Sequence, residues 1–133
     1  MTHRILVVED NLANRELLCD WLESRGFEVQ AAQNLKDAFS LFESQTFHAV
    51  LLDIQLGQED GLTFASKSRR EANSRHIPII AVTAHAMVTD HERVMQAGCN
   101  ACISKPIDFK LLLRQLQQWL PLTNGTKQQT PVV

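Results

Sequence analysis

The chain alternates short apolar runs with longer segments in which apolar side chains recur every three or four positions. Apolar runs of strand length, most of them rich in β-branched residues, occupy positions 4–8, 27–32, 48–52, 77–82 and 101–103. Such runs are typical of strands covered on both faces. The pattern therefore predicts five strands, each separated from the next by a segment long enough for a helix.

The intervening segments carry helical periodicity and the residues that begin and end helices. Asn11 and Asn34 stand where N-caps are expected, and Gly26 and Gly98 stand where helices should stop. The predicted helices begin near Leu12, Leu35 and Leu62, and a fourth, weakly amphipathic helix covers about residues 87–97. A last helix follows the fifth strand and is closed by Pro121, while residues 53–61 are predicted to form a loop.

Strands that alternate with helices indicate an α/β fold, in which a five-stranded parallel sheet carries helices on both faces. Right-handed crossovers between parallel strands leave few possible topologies. In sheets of this kind the ligand site lies at the carboxyl ends of the strands, where the strand order reverses. The residues that follow each strand are therefore the first candidates for a functional role.

Composition narrows the class of protein. The 133 residues suit one domain, which we expect to cover residues 1–121 and to be followed by a disordered polar tail over 122–133. A net charge of −2 argues against a nucleic-acid partner. No apolar run approaches the ~18 residues of a membrane span, and three cysteines make an odd number without a disulfide framework. We expect a cytoplasmic protein without a membrane partner.

Charged and hydroxyl side chains stand at the ends of four predicted strands. Glu9 and Asp10 follow the first strand, Asp53 the third, Thr83 the fourth and Lys105 the fifth. Because the carboxyl ends of parallel strands lie at one edge of the sheet, these side chains should share one crevice.

Three carboxylates in one crevice repel one another unless a cation lies between them. Mg²⁺ prefers oxygen ligands and retains several waters, so one or two direct carboxylates suffice to hold it. A metal ion and a lysine can together stabilise the charge on a transferring phosphoryl group, and a carboxylate between them can act as its nucleophile. The pattern favours magnesium-dependent formation of an aspartyl phosphate.

Five short motifs together resemble the receiver domain of two-component response regulators. They are VVEDN at 7–11, LLDIQ at 51–55, DGL at 60–62, AVTAHAM at 81–87 and SKP at 104–106. The resemblance covers about residues 3–120 and includes the receivers of hybrid kinases and of single-domain regulators. It implies a flavodoxin-like (βα)5 fold with strand order 2-1-3-4-5. It also implies a signalling module that is not an enzyme.

The resemblance assigns roles to individual residues. Asp53 matches the phosphoacceptor, which takes its phosphoryl group from a sensor histidine kinase or a histidine phosphotransfer protein. Asp10 matches the direct Mg²⁺ ligand, Glu9 the second acid and the backbone carbonyl of Gln55 the main-chain ligand. Lys105 matches the partner of the phosphoryl oxygens.

The remaining matches concern the switch that follows phosphorylation. Thr83 matches the hydroxyl that turns toward the phosphoryl group, and the switch region includes Ala84, His85, Cys102 and Pro106. In this family the Lys105–Pro106 bond is cis. The implied output is a changed surface on the fourth helix, fifth strand and fifth helix, which contacts a downstream protein target.

Three features depart from the family pattern. Cys102 stands where an aromatic switch residue is usual, Leu56 and Gly57 stand where Met and Pro are usual, and Glu59 replaces an apolar residue. We expect the glycine to make that loop more flexible.

Two other functions remain open. One is a phosphate-independent interaction module that keeps the fold (a pseudo-receiver), although the intact set of site residues counts against it. The other is a Mg²⁺-dependent phosphohydrolase that works through an aspartyl phosphate, although Gln55 stands where such enzymes commonly place a second acid. The Cys99 and Cys102 pair is expected to be structural, and Lys67, Arg69 and Arg70 are expected to form a solvated helix face.

Overall fold

The computed structural model describes residues 2–84 and 88–120. The chain forms an α/β domain whose strands and helices follow one another in the order β1 (Arg4–Val8), α1 (Leu12–Ser24), β2 (Glu28–Ala32), α2 (Leu35–Ser44), β3 (Ala49–Asp53), β4 (Gln55–Leu56), β5 (Glu59–Asp60), α3 (Leu62–Arg70), β6 (Ile79–Thr83), α4 (Val88–Gln96), β7 (Ala101–Ser104) and α5 (Phe109–Trp119).

Five of the strands form one parallel sheet in the order β2-β1-β3-β6-β7. The predicted fourth and fifth strands are β6 and β7, so the observed order is the predicted 2-1-3-4-5. The other two strands, β4 and β5, form a separate antiparallel hairpin. The predicted fold class is confirmed.

The central strands are buried on both faces, which explains their continuous apolar sequences. Successive side chains alternate between two apolar layers. On one face, Leu6 and Val50 pack with Phe64 and other residues of α2, α3 and α4. On the other face, Ile5 and Leu51 pack with residues of α1 and α5. The helices therefore cover both faces of the sheet.

The predicted helix caps are confirmed where the structure describes them. The Asn11 side chain accepts a hydrogen bond from the Asn14 amide at 2.9 Å, and Asn34 accepts one from Asp37 at 2.8 Å. Gly26 follows α1 with a φ of 91°, the left-handed conformation that favours glycine.

Two local predictions were wrong. The segment predicted as a plain loop contains the β4–β5 hairpin, because two-residue strands are too short to leave a periodic pattern. Arg69 does not lie on a solvated face. Its guanidinium donates to the carbonyls of Gly98 and Ile77 at 2.7 and 2.8 Å and to the Asn100 side chain at 2.7 Å. Burial lowers the pKa of this guanidinium.

Some predictions concern residues outside the described ranges. They are the polar tail at 122–133, the boundary at 121 and the position of His85. Among residues 2–84 and 88–120, no helix has the length and apolar character needed to cross a bilayer.

Candidate functional site

The sheet brings the predicted site residues to one edge. Glu9 follows β1, Asp53 ends β3, Thr83 ends β6 and Lys105 follows β7, and these four strands are neighbours in the sheet. The chain passes from β1 to β2 on one side and then returns to β3 on the other. Asp10 and Asp53 therefore flank the point where the strand order reverses, which is the expected ligand position in such sheets.

Lys105 connects two buried carboxylates. Its ammonium nitrogen Nζ lies 2.9 Å from Asp53 Oδ2 and 3.2 Å from Glu9 Oε1. The carboxylate side chains are only 4% and 3% exposed, whereas the lysine side chain is 27% exposed. The lysine supplies the opposite charge that buried carboxylates require.

The charges of the site alter the pKa values of two groups. Burial raises the pKa of Glu9, and the nearby charge of Asp53 raises it further. The hydrogen bond that Glu9 accepts from the Asn11 amide lowers this pKa, but by less than burial and Asp53 raise it. Burial by itself would lower the pKa of Lys105. Its hydrogen bond and attraction to Asp53, with a smaller contribution from Glu9, raise that pKa instead.

The acidic side chains fit a hard divalent cation. Glu9, Asp10 and Asp53 each offer a carboxylate oxygen, and these three oxygens lie within 4.8 Å of one another. Glu9 and Asp53 are buried, whereas Asp10 is exposed and leaves the cluster open to solvent on its side. Three carboxylates face one ammonium, so negative charge remains for a cation to offset. Oxygen donors with room for water suit Mg²⁺.

The backbone around Asp53 is arranged by contacts that the sequence analysis did not identify. The Gln55 amide donates to Asp53 Oδ1 at 3.0 Å, and the Gly61 amide donates to the Ile54 carbonyl at 2.8 Å. A Cβ atom on Gly61 would collide with the Asp53 carbonyl oxygen. Glycine is therefore required here by close backbone approach, and the DGL motif was its visible signal.

Arg15 is a second contributor that was missed. Its Nη1 donates to the Glu9 carbonyl at 2.9 Å and to the Asp10 carbonyl at 3.3 Å. The arginine thus holds the turn that carries both acids from one turn inside α1. A basic residue this close to an acidic pair was the available signal.

The predicted switch residues are only partly brought together. Thr83 is buried at the end of β6, and its carbonyl accepts a hydrogen bond from the Lys105 amide at 2.8 Å. Ala84 is exposed, and the Lys105–Pro106 peptide bond is cis, as the resemblance implied. Cys102 lies on β7, half-buried against the apolar layer under α2, α3 and α4.

An apolar groove of about 540 Å³ opens beside the site. Its lining runs from α1 to the β7–α5 connection and includes Leu17, Pro106, Ile107 and Phe109, with Glu9 and Lys105 at one end. Leu17 is 57% exposed. The groove therefore leads from an exposed apolar surface to the buried carboxylates.

Comparisons with known proteins agree with this geometry. The family model of the response regulator receiver domain matches residues 5–117. Polar-differentiation response regulators DivK from Brucella ovis and Brucella melitensis are each 38% identical over 120 residues, which is 90% of this chain and 98% of theirs.

Solved structures of similar fold include a receiver domain and a chemotaxis response regulator. The receiver domain of the sensor histidine kinase PA1611 from Pseudomonas aeruginosa, with magnesium coordinated in its active-site cleft, is 36% identical with a TM-score of 0.81. That comparison covers 90% of this chain and 98% of the other. The chemotaxis protein CheY4 of Vibrio cholerae shares the fold with a TM-score of 0.85 at 22% identity, over 90% of this chain and all of its own. This chain belongs to the response regulator receiver domain family and is a phosphoacceptor module of two-component signalling.

Proposed function

We propose that Asp53 is the phosphoacceptor and that it takes a phosphoryl group from a phosphohistidine of a sensor kinase or a histidine phosphotransfer protein. The observation that carries the proposal is the pairing of the buried Asp53 carboxylate with Lys105 Nζ, beside the carboxylates of Glu9 and Asp10. We further propose that Asp10, Asp53 and the Gln55 carbonyl hold Mg²⁺ directly, and that Glu9 acts through water. The transfer takes place in the cytoplasm.

The transfer exchanges one phosphorus bond for another. An oxygen of the Asp53 carboxylate forms a bond to phosphorus while the phosphorus–nitrogen bond to the donor breaks, and the imidazole leaves with the bonding electrons. Bound Mg²⁺ would offset the negative charge of the phosphoryl oxygens. Lys105 gives up its contact with Asp53 Oδ2 and binds a phosphoryl oxygen, so its positive charge stays in the site throughout.

The signal is a shift between two arrangements of the domain. The phosphoryl group favours the arrangement in which Thr83 and Lys105 can both bind it, and only such differential binding can move the equilibrium. Because Thr83 ends β6 and lines the cleft beside α4 with Asp90 and Arg93, its movement changes the surroundings of that helix. The output surface on α4, β7 and α5 then presents itself to a downstream protein.

The groove beside the site suits a protein donor. It is mostly apolar, it borders exposed Leu17, and it ends at Glu9 and Lys105. A helical protein seated on α1 and the β7–α5 connection would therefore bring a phosphohistidine to the side of the site formed by Glu9 and Lys105. This arrangement supports a protein, rather than a free metabolite, as the physiological donor.

The first test is phosphorylation by acetyl phosphate, followed by intact mass. We expect one phosphoryl adduct that requires Mg²⁺ and disappears in Asp53→Asn. An unmodified but folded wild-type protein would support the phosphate-independent alternative. Continuous turnover of unrelated phosphate esters would support the phosphohydrolase alternative.

A further inference from the structure

The β4–β5 hairpin connects the candidate acceptor site to α4 through a series of direct contacts. The Gln55 amide donates to Asp53 Oδ1, and Gln55 lies directly opposite Asp60 in the register of the hairpin. Asp60 Oδ2 in turn accepts a hydrogen bond from Arg93 Nη2 on α4 at 2.9 Å. A movement at Asp53 therefore has a route of three contacts to the helix.

The hairpin is also fixed to elements other than α4. Glu59 Oε1 accepts a hydrogen bond from the Leu35 amide at 3.0 Å, at the N-terminus of α2 where a negative charge is favoured. Asp60 Oδ1 accepts one from the Leu62 amide at 2.9 Å, and Leu56 is buried beneath the hairpin. Glu59, which departs from the family pattern, thus has a structural partner. Because Glu59 and Leu56 hold the hairpin in place, a displacement that starts at Asp53 can be transmitted through it toward α4.

We propose that the Asp60–Arg93 ion pair is a latch that favours the resting arrangement, meaning the one in which Lys105 contacts Asp53. Arg93 is then a positioning residue: it acts on the acceptor site through Asp60 and Gln55 rather than by touching the phosphoryl group. The inference rests on the proposed role of Asp53 as phosphoacceptor.

Phosphorylation should work against this latch. The Asp53 oxygen that accepts the Gln55 amide becomes part of an acyl phosphate, and the Gln55 carbonyl is the proposed main-chain metal ligand. Both changes alter the strand directly opposite Asp60. A cleft of about 260 Å³ between the hairpin and α4, lined in part by Thr83, gives these groups room to move.

The charges around the cleft explain why one arginine matters. Glu59, Asp60 and Asp90 line the cleft with Arg93. Among the described residues that line the cleft, Arg93 is the only cation, so its removal leaves acids of the hairpin and α4 to repel one another. The latch also provides a coupling route that needs no aromatic side chain, in a chain that has Cys102 at the usual aromatic position and contains no tyrosine.

The exposure of the two side chains sets the expected strength of the latch. The side chains of Arg93 and Asp60 are 53% and 52% exposed, so the pair is a surface ion pair of modest strength. It should shift the balance of the two arrangements by about two- to five-fold. Because coupling is reciprocal, the same factor should appear in ligand affinity at Asp53 and in the population of the activated α4.

The test uses amide NMR of the whole chain with Mg²⁺ and beryllium trifluoride, a stable mimic of a phosphoryl group. We expect the α4 amides of ligand-free Arg93→Gln to move from the wild-type resting positions toward the wild-type positions with the mimic bound. The concentration of mimic at half-saturation should fall by about two- to five-fold.

Matched variants separate a latch from a general disturbance. Asp60→Asn keeps the oxygen that accepts the Leu62 amide but loses the charge, so it should reproduce Arg93→Gln, and the double variant should add nothing further. Arg93→Lys should restore most of the wild-type behaviour. Arg70→Gln removes an exposed arginine from α3 and should leave both measurements at their wild-type values.

Two results would overturn the inference. If the wild type binds the mimic but Arg93→Gln has the same α4 positions and the same half-saturation, the latch does not exist even though the acceptor function holds. Additive effects of Asp60→Asn and Arg93→Gln would likewise show that the two residues act separately. Failure of the wild type to bind the mimic, in contrast, would reject the proposed function and the latch with it.

Discussion

Lys105 is the residue on which the electrostatics of the site depend most. Its ammonium lies between two carboxylates that are almost completely buried, and it is itself about three-quarters shielded from solvent. Removing one partner from a buried charged group is costly, because the remaining charge is left without compensation. The lysine therefore supports the fold as well as the proposed chemistry.

We expect Lys105→Met to lower the free energy of unfolding at neutral pH by about 1–3 kcal/mol, less than for a fully buried pair because the lysine is partly exposed. Mg²⁺ should restore more stability to this variant than to the wild type, since the cation replaces the lost charge. Urea unfolding with and without Mg²⁺ measures both quantities. Equal stabilisation of the two proteins by Mg²⁺ would contradict this account.

Cys99 gives a prediction about pH. The thiol is 4% exposed, and burial raises its pKa from an ordinary value of 9.0 to about 12. The folded state therefore keeps the proton to higher pH than the unfolded state. Stability that is present below pH 9 should be lost as pH rises toward 12, at up to about 1.4 kcal/mol per pH unit.

The comparison with Cys99→Ala isolates this effect from other titrating groups. The difference in unfolding free energy between wild type and variant should shrink by about 1 kcal/mol between pH 9 and pH 10. Unfolding in urea at both pH values measures it. A constant difference would show that the thiol has its ordinary pKa in the folded protein, and a growing difference would show that folding lowers that pKa.

At the scale of elements, α1 has two functions that are separated along its length. Its start, capped by Asn11, supports the turn that carries the acids, with Arg15 donating to that turn. The helix also carries Leu12 and Leu17, which are 58% and 57% exposed. Exposed leucines contribute little to the core and leave apolar surface in contact with water. A partner protein that covers this surface would explain their presence.

We expect Leu17→Ser to slow phosphoryl transfer from a histidine phosphotransfer protein by about ten-fold, which corresponds to 1.4 kcal/mol of lost contact. Phosphorylation by acetyl phosphate should be unchanged, because a small donor does not use the groove. Met95→Ser, at a 40% exposed position of α4, is the matched control. Equal slowing with both donors would mean that Leu17 acts on the site itself.

The elements differ in how far the sequence predicted them. β1, β3 and β6 are buried on both faces, so their apolar runs were distinct and their places were correct within two residues. The hairpin was missed because it depends on Gly57, with a φ of 63°, and on the burial of Leu56, neither of which produces periodicity. Arg69 was misassigned because a row of basic residues does not reveal which one turns toward a neighbouring loop.

At the scale of the whole molecule, the sheet explains why the site could be predicted at all. Residues distant in sequence meet because parallel strands end at a common edge, so Asp53 and Lys105 come together although 52 positions separate them. The groove and the Asp60–Arg93 pair depend instead on the angles at which helices pack. Those angles have no signature in a single sequence.

The Arg69 contacts have a mechanical consequence for α4. The guanidinium holds the Gly98 carbonyl, just beyond the C-terminal end of that helix, and also the loop residues that lead into β6. One end of the helix is thus a fulcrum, while its other end adjoins the site. A nine-residue helix is about 13 Å long, so a tilt of about 10° about that fulcrum displaces its far end by about 2 Å. A rearrangement at the carboxylates therefore becomes a rotation of α4 about the Arg69 contact, with the largest displacement beside the site and the smallest at the C-terminal end of the helix.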